Sequence, residues 1–370
     1  MVLIKTHRDA LLAPLQSVSG IVEKRHTLPI LSNVLLEKKG EQLTLLATDI
    51  EIQITTTTHG AQGDGDGAVT VGARKLQDIL RSLPDSAEIS LNLEDKRLLV
   101  RAGKSRFTLQ TLPAEDFPRM ATVESDLKTI TVTQRQFRHL LAQTQFAMAA
   151  QDVRYYLNGL LLLVDGGELR AVATDGHRLA FACMPLDGEA LDGRHELILP
   201  RKTVLELNRL LADSDEPLTI RLAANQIHFQ FGHINLVSKL IDGKFPDYER
   251  VIPSSLKNSV TLNRQLFLQS MVRAAILTNE KFRGVRLVLI DGSLKIMAAN
   301  AEQEEAQEEL EVDYSGDSLD IGFNVTYLLD VLTNVSANEI EIRFNDGNAS
   351  ALFGLADNAD FKYVVMPMRI

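Results

Sequence analysis

The chain repeats one pattern three times, at intervals of roughly 125 residues. A strand-like run ends in Leu-Leu-Ala-Thr-Asp at 45–49, in Ala-Val-Ala-Thr-Asp at 171–175 and in Ile-Met-Ala-Ala-Asn at 296–300. Self-similarity at a fixed period indicates repeated structural units. Polar stretches at 124–126 and 252–255 separate the copies, so the sequence predicts three domains, which span 1–125, 126–253 and 254–370.

Each copy is predicted to contain two helices and several strands. The predicted helices cover 8–20, 72–83, 134–150, 200–211, 263–279 and 324–335. Thr6 and Asp9 have the spacing of a capping box before the first helix, and Pro14 is predicted to kink or shorten that helix. Alternating runs such as 88–93 and 339–344 predict antiparallel strands with one solvated face. The predicted fold class is therefore α+β, with three repeated domains of two helices and antiparallel sheet.

Composition and motifs favour a non-catalytic cytoplasmic protein. Cys183 is the single cysteine, no signal peptide is recognisable, and apolar runs such as 160–164 are far too short to span a membrane. The sequence has no phosphate-binding loop, no zinc-ligand spacing and no nucleophile elbow. Asp175 with His177, or the carboxylates at 302–309, could in principle act in metal-dependent hydrolysis. We nevertheless expect no catalytic residue, no metal and no cofactor.

Basic residues are concentrated in the predicted helices. These segments contain eleven lysines and arginines but only four acids, although the whole chain has a net charge of −10. A basic surface on an acidic protein is typical of binding to phosphate backbones, without sequence reading. The sequence therefore predicts contact with nucleic acid through helices.

The two ends of the chain carry opposite charge runs. Residues 96–106 contain five bases and no acid, whereas residues 302–311 contain six acids and no base. Each run alone is compatible with a solvated surface, but together they favour a head-to-tail interface between two copies, which closes into a ring when the rotation permits.

Several blocks together resemble the bacterial DNA polymerase III beta subunit family, the sliding clamps. They are 151–159, 173–180, 242–248, 279–286 and the terminal 363–370, and the resemblance covers the whole chain. It implies the DNA clamp fold and a ring-forming head-to-tail homodimer around double-stranded DNA. It also implies tethering of partners: the DNA polymerase III alpha subunit, the clamp loader through its delta subunit, other DNA polymerases, and mismatch-repair and ligase proteins.

The resemblance and the basic helices each predict residues that contact DNA. The resemblance places Arg25, Gln151, Tyr155 and Tyr156 on loops that touch DNA, although the two tyrosines alone would also suit a protein core. The basic helices add Arg74, Lys75, Arg138, Lys202 and Arg209.

The resemblance also implies a partner-peptide pocket between the second and third domains. Asn348 stands where the family often has an apolar residue, which implies a more polar floor. The residues implied are Arg154, Leu157, Thr174, Gly176, His177, Arg178, Leu179, Pro246, Arg250, Val251, Asn324, Tyr327, Asn348, Ser350, Val364, Met366, Pro367, Met368, Arg369 and Ile370.

The resemblance also implies the residues of the dimer interface. Phe107 and Leu109 of one copy would meet Ile276 and Leu277 of the other. Around this apolar group, bases would face acids, namely Lys75, Arg97, Arg101, Lys104 and Arg106 against Glu302, Glu304, Glu305 and Glu308. Two alternatives remain open, a monomeric DNA-binding scaffold without sequence preference and a metal-dependent hydrolase.

Overall fold

The computed structural model describes residues 2–23, 27–121, 127–187, 191–356 and 358–370. Each repeat contains eight strands and two helices in the same order. The elements of the first repeat are β1 (Val2–His7), α1 (Arg8–Ser19), β2 (Asn33–Lys39), β3 (Gln42–Thr48), β4 (Ile52–Thr58), β5 (Gly67–Gly72), α2 (Ala73–Ser82), β6 (Glu88–Glu94), β7 (Arg97–Ala102) and β8 (Ser105–Leu112).

The second and third repeats follow the same order. The second contains β9 (Lys128–Thr133), α3 (Gln134–Ala142), β10 (Gly159–Asp165), β11 (Glu168–Thr174), β12 (Arg178–Pro185), β13 (His195–Pro200), α4 (Arg201–Leu210), β14 (Pro217–Leu222), β15 (Gln226–Phe231) and β16 (Ile234–Lys239). The third contains β17 (Asn258–Asn263), α5 (Arg264–Ala275), β18 (Gly284–Ile290), β19 (Ser293–Ala299), β20 (Glu305–Glu311), β21 (Leu319–Asn324), α6 (Val325–Asn334), β22 (Glu339–Phe344), β23 (Ala351–Leu355) and β24 (Asn358–Val365).

The α+β class and the two-helix repeat are confirmed, whereas the predictions of a capping box at Thr6, of a helix shortened at Pro14 and of a helix that extends to 150 are wrong. Thr6 lies in β1, and α1 starts after His7 without a side-chain cap, while Asp9 accepts from the amide of Ser86 instead. Helix α1 continues through Pro14 to Ser19, so the proline does not shorten it. Helix α3 ends at Ala142, well before the predicted end at 150.

The strands form antiparallel sheets, and the chain divides into two compact units. The first unit, Met1–Arg135 with Leu205–Leu240, contains a twelve-stranded sheet in the order β1-β6-β7-β8-β5-β2-β3-β4-β16-β15-β14-β9. The second unit, Gln136–Val204 with Ile241–Ile370, contains an eight-stranded sheet, β13-β10-β11-β12-β24-β23-β22-β17, and a four-stranded sheet, β20-β19-β18-β21.

Within each unit, one strand pair joins neighbouring repeats. In the first unit β4 pairs with β16, from Ile52 opposite Ser238 to Thr56 opposite Ile234. In the second unit the equivalent strands, β12 and β24, pair from Arg178 opposite Val365 to Ala182 opposite Phe361. Strands β4, β12 and β20 are the fourth strands of their repeats, and β8, β16 and β24 are the eighth. Both junctions therefore follow one pairing rule, in which the fourth strand of one repeat pairs with the eighth strand of the next. Among the described strands, this arrangement leaves β20 and β8 without their corresponding partners.

Apolar faces of the helices explain where they lie. Leu76 and Leu80 of α2 are fully buried, as are Leu328 and Leu332 of α6. Helix α1 lies against α2, β3 and β4, and helix α5 lies against α6, β19 and β20. This packing leaves the charged sides of the helices exposed.

Candidate functional site

An apolar groove of about 170 Å³ lies in the second unit. Its floor rests on a buried cluster that includes Leu161, Phe181 and Phe245, so its shape is fixed by the core beneath it. The lining residues are Arg154, Tyr156, Leu157, Thr174, Gly176, His177, Arg178, Leu179, Pro246, Tyr248, Val251, Val364 and Met366. An apolar groove of this size can accept a few side chains of an extended peptide.

One wall of the groove is the tight connection between β11 and β12, which is the repeated Ala-Thr-Asp motif. The carboxylate of Asp175 accepts from the amides of His177 (2.9 Å) and Arg178 (3.1 Å). Asp49 does the same in the first repeat, and the side chain of Asn300 accepts from two amides in the third. Asp and Asn recur there because their short side chains satisfy the turn's backbone donors.

A second wall is held by an ion pair on the 151–158 loop. The carboxylate of Asp152 accepts from Nε (3.0 Å) and Nη2 (2.9 Å) of Arg154, and this hydrogen bonding lowers the pKa of Asp152 to about 2. The same guanidinium donates to the carbonyl of Asp175 at 3.1 Å. It lies directly over Gly176, whose φ is +89° and where an added Cβ would be 2.8 Å from the guanidinium nitrogens. The positive φ therefore favours glycine at this position, and an added Cβ would also displace the Arg154 side chain.

Arg178 links the groove to the third repeat. Its guanidinium pairs with Asp175 (3.1 Å) and Asp330 (2.5 Å) and lies 4.5 Å from the centre of the Tyr327 ring. Burial acts to lower the pKa of Arg178, but Tyr363 and Asp330 raise it above its ordinary value. A buried, fully paired arginine of this kind supports the wall of the groove, because removing one partner would leave an uncompensated charge.

The segment that follows β24 contributes one residue to the groove lining. Met366 lines the groove, and its amide donates to the carbonyl of His177 at 2.9 Å. Further along, the amide of Met368 donates to the carbonyl of Gly322 at 2.8 Å, and Ile370 lies against Gly322 and Gly284. The tail is therefore anchored at two points.

Other residues predicted for the pocket lie outside the groove lining. Asn324 caps α6 by accepting from the amide of Thr326, and the ring of Tyr327 packs against the guanidinium of Arg178. Arg250 forms an exposed ion pair with Asp247. The remaining residues outside the lining are Asn348, Ser350, Pro367, Met368, Arg369 and Ile370.

Sequence reasoning missed Tyr248 as a lining residue. The side chain is buried and stacks on Phe181 with ring centroids 5.8 Å apart, and burial raises the pKa of its hydroxyl. An aromatic residue two positions after Pro246 was the available signal. Tyr156, which was predicted for DNA contact, also lines this groove.

Two of the predicted DNA contacts in the first unit already have partners. Arg74 donates to the carbonyl of Val22 at 3.1 Å. Arg209 pairs with Glu206 at 2.7 Å and donates to the carbonyl of Ser17 at 3.0 Å. Lys75 is exposed, and Arg25 lies outside the described residues.

In the second unit, Gln151, Tyr155 and Arg138 are exposed, and Gln151 has a positive φ of 60° at the start of its loop. Tyr155 contacts Tyr156 edge to face, with centroids 5.8 Å apart. Lys202 is half-buried in the first turn of α4. The loop therefore presents one amide and one aromatic side chain to solvent.

Replacing Arg138 or Arg209 by glutamine should have different effects on the stability of the fold. We expect Arg138→Gln to reduce the slope of log affinity for duplex DNA against log salt by about one unit, without changing the free energy of unfolding. Arg209→Gln should also destabilise the fold by about 1 kcal/mol, because its bonds to Glu206 and Ser17 are lost. Salt titration of DNA binding and urea unfolding test both expectations. An unchanged slope for Arg138→Gln would contradict its assignment to DNA contact.

The predicted interface residues of the first repeat lie on and beside β8. Phe107 and Leu109 are half-buried, and Leu109 and Lys75 line a groove of about 400 Å³ in the first unit. Strand β8 pairs with β7 along its length but with β5 only at Leu112 and Thr111. The predicted bases Lys75, Arg97, Arg101, Lys104 and Arg106 are all exposed.

The predicted interface residues of the third repeat lie at the end of α5 and along β20. Ile276 is 74% exposed and Leu277 is half-buried. Glu302, Glu304 and Glu305 are exposed. Glu308 instead pairs with Arg273 at 2.5 Å, which lowers the pKa of this carboxyl.

The described residues also bear on four other possibilities: a metal site, a membrane-spanning helix, acid or base catalysis by Asp175 and a reactive Cys183. No group of three His, Cys, Asp or Glu side chains there is placed to hold a metal ion, and no helix there is long and apolar enough to cross a membrane. Asp175, the candidate acid or base, is committed to its turn and to Arg178. Burial raises the pKa of Cys183 to about 11, which disfavours a reactive thiolate.

Comparison with known proteins gives one family along the chain. Residues 2–121, 131–247 and 249–369 match the N-terminal, central and C-terminal domains of the DNA polymerase III beta subunit. The beta sliding clamp of Pseudomonas putida is 51% identical over 363 residues, and that of Escherichia coli is 48% identical over 363 residues, with 98% of both chains covered in each case. The Pseudomonas aeruginosa sliding clamp bound to griselimycin superposes with a TM-score of 0.95, at 49% identity and full coverage of both chains. The chain therefore belongs to the DNA polymerase III beta subunit family, the bacterial sliding clamps.

Proposed function

We propose that this chain is a DNA sliding clamp and processivity factor, not an enzyme. Its partners are DNA and the replicative polymerase. Two copies would join head to tail into a ring around duplex DNA, with three domains per copy at 1–125, 126–253 and 254–370. A ring converts weak, sequence-independent phosphate contacts into persistent association, because dissociation requires ring opening or a DNA end. Sliding is retained since such contacts exchange rapidly.

The main support for a ring-shaped dimer is the way in which strands pair between neighbouring repeats. Strand β4 pairs with β16, and β12 pairs with β24, while their equivalents β20 and β8 have no such partner. An unpaired strand edge exposes backbone donors and acceptors that another strand can satisfy. Pairing of β20 with β8 of a second copy would extend the rule to the subunit seam, and the seam would then repeat an arrangement that the chain already contains twice.

The rule also supplies a register for that seam. Transferring the registers of the two internal junctions places Phe107 opposite Ala306, and Leu109 opposite Glu304. The basic run beside β8 then meets the acidic run of β20. Rim ion pairs contribute only about 0 to 1 kcal/mol each, so apolar contacts of Ile276 and Leu277 with Phe107 and Leu109 would dominate stability.

The groove beside Met366 and Leu179 would tether partner proteins. Its apolar lining and flexible methionine suit short peptides that differ in sequence. We assign to it the alpha subunit of DNA polymerase III, the delta subunit of the clamp loader, other DNA polymerases, and mismatch-repair and ligase proteins. A protein that acts on chromosomal DNA in this way would work in the bacterial cytoplasm.

Topological linkage to DNA is the decisive test. The protein should be retained on nicked circular DNA after loading and should be lost when a restriction enzyme linearises the same molecules. Gel filtration of labelled protein before and after cutting measures this difference. Equal retention on both forms would favour a monomeric DNA-binding scaffold, and nuclease activity with added metal would favour a hydrolase.

A further inference from the structure

The acids of the second helices occupy the same position in all three repeats. Asp78 is the sixth residue of α2, Glu206 the sixth of α4 and Asp330 the sixth of α6. These are three of the four acids in the otherwise basic helices. A basic surface for DNA gains nothing from an acid, so the repeated position indicates a different role.

In the first unit this acid holds an arginine on the end of the preceding repeat's first helix. Glu206 pairs with Arg209 at 2.7 Å, and Arg209 donates to the carbonyls of Gln16 (3.4 Å) and Ser17 (3.0 Å) in the last turn of α1. The pair lies against Gly20, where an added Cβ would be 2.3 Å from Oε2 of Glu206. A guanidinium is favourable there because the carbonyl end of a helix is negative.

In the second unit the same position has the same role with a different arginine. Asp330 accepts from Arg178, and Nη2 of Arg178 donates to the carbonyl of Phe146 at 2.6 Å. Phe146 follows α3 at the position that matches Gly20 after α1. At both internal junctions an acid of the next repeat therefore holds a guanidinium against a carbonyl at or just after the end of a first helix. The guanidinium comes from the next repeat in the first unit (Arg209) and from the preceding repeat in the second (Arg178).

One acid and one helix end have no such partner. Asp78 and Arg81 are exposed, have the same spacing as Glu206 and Arg209, and make no hydrogen bond or ion pair among the described residues. At the other end, Ile276 matches Gly20 and Phe146 and is 74% exposed.

We propose that Asp78 and Arg81 of one copy seal the end of α5 in a second copy of this chain. Arg81 donates to the carbonyls of Val272 and Arg273, which match Gln16 and Ser17, and Ile276 packs against the pair. Asp78 orients the guanidinium, as Glu206 orients Arg209. The proposal rests on the head-to-tail assembly and adds a polar seal on the helix side of the seam, next to the strand pairing.

Self-association without DNA tests this seal. Arg81→Ala should raise the dissociation constant of the dimer at least tenfold, since two hydrogen bonds from a guanidinium are lost at each of the two seams. Asp78→Asn should raise it about threefold by releasing the guanidinium. The matched control is Arg221→Ala, which removes the same charge from β14 and should leave the constant unchanged. Dilution of fluorescently labelled protein, with circular dichroism to establish folding, measures all three.

A double-mutant cycle locates the contact. If Arg81 and Ile276 meet across the seam, the combined Arg81→Ala and Ile276→Ala variant should weaken the dimer by less than the product of the single effects. A wild-type dimer that Arg81→Ala does not weaken, or weakens only as Arg221→Ala does, overturns this proposal and leaves the ring intact. A wild-type chain that stays monomeric at all concentrations overturns the head-to-tail assembly as well. Weaker DNA binding with an unchanged dimer would place Arg81 on the DNA surface instead.

Discussion

Replacing Ile276 and Leu277 by aspartate should convert the protein into folded monomers that cannot stay on circular DNA. Ile276 is 74% exposed in the single chain, and burial of an aliphatic side chain contributes about 1.5 to 3 kcal/mol. A carboxylate in that seam would lose this contribution and would also meet the acidic strand β20. Because a head-to-tail dimer contains two seams, the loss applies twice. Sedimentation velocity at micromolar concentration measures the change in mass.

The control for this variant introduces an aspartate on the same helix, away from the seam. Leu266→Asp lies in the first turn of α5, where the side chain is 55% exposed, and it should leave the dimer intact. Circular dichroism should give the same helix content for both variants. A Ile276→Asp, Leu277→Asp protein that remains a dimer would remove these residues from the seam.

The repeat made much of the fold predictable from the sequence. The Asp49, Asp175 and Asn300 turns recur because a short side-chain acceptor is needed at each, so the chemistry is local and visible in the letters. Local rules failed where tertiary contacts decided the outcome. Asp9 accepts from Ser86, a residue of a distant turn, so it takes no part in a capping box. Pro14 is accommodated because the buried residues Leu11 and Leu15 hold α1 in place on both sides of it.

The candidate site was predictable only in part. The resemblance supplied most of the groove lining, including Arg154, Gly176 and Leu179, since those residues lie in recognisable blocks. It gave no reason to expect Asp152, whose carboxylate positions Arg154, or Tyr248, whose ring stacks on Phe181. Such contacts depend on which side chains meet in three dimensions, and no periodic pattern encodes that.

Deleting Met366 to Ile370 should abolish binding of a short apolar partner peptide and stop stimulation of the polymerase, yet leave the dimer intact. Met366 lines the groove, whereas the proposed seam uses β8, β20 and the ends of α2 and α5. A groove that anchors only a few side chains implies micromolar affinity for the intact protein, about −8 kcal/mol, so losing one wall is enough to remove measurable binding. Calorimetric titration of a C-terminal polymerase peptide into both proteins measures the loss.

The tail is also tied down by backbone bonds to His177 and Gly322, so its deletion alone could perturb the wall that those residues form. Met366→Ala resolves this, because it keeps both bonds and removes only the side chain from the groove. This substitution should raise the dissociation constant of the peptide about tenfold, in line with the loss of one buried apolar contact. A peptide whose apolar side chains are replaced by alanine should bind neither protein. Equal affinity of the native peptide for intact, truncated and Met366→Ala chains would show that the partner groove lies elsewhere, and loss of the dimer on truncation would show that the tail supports the seam.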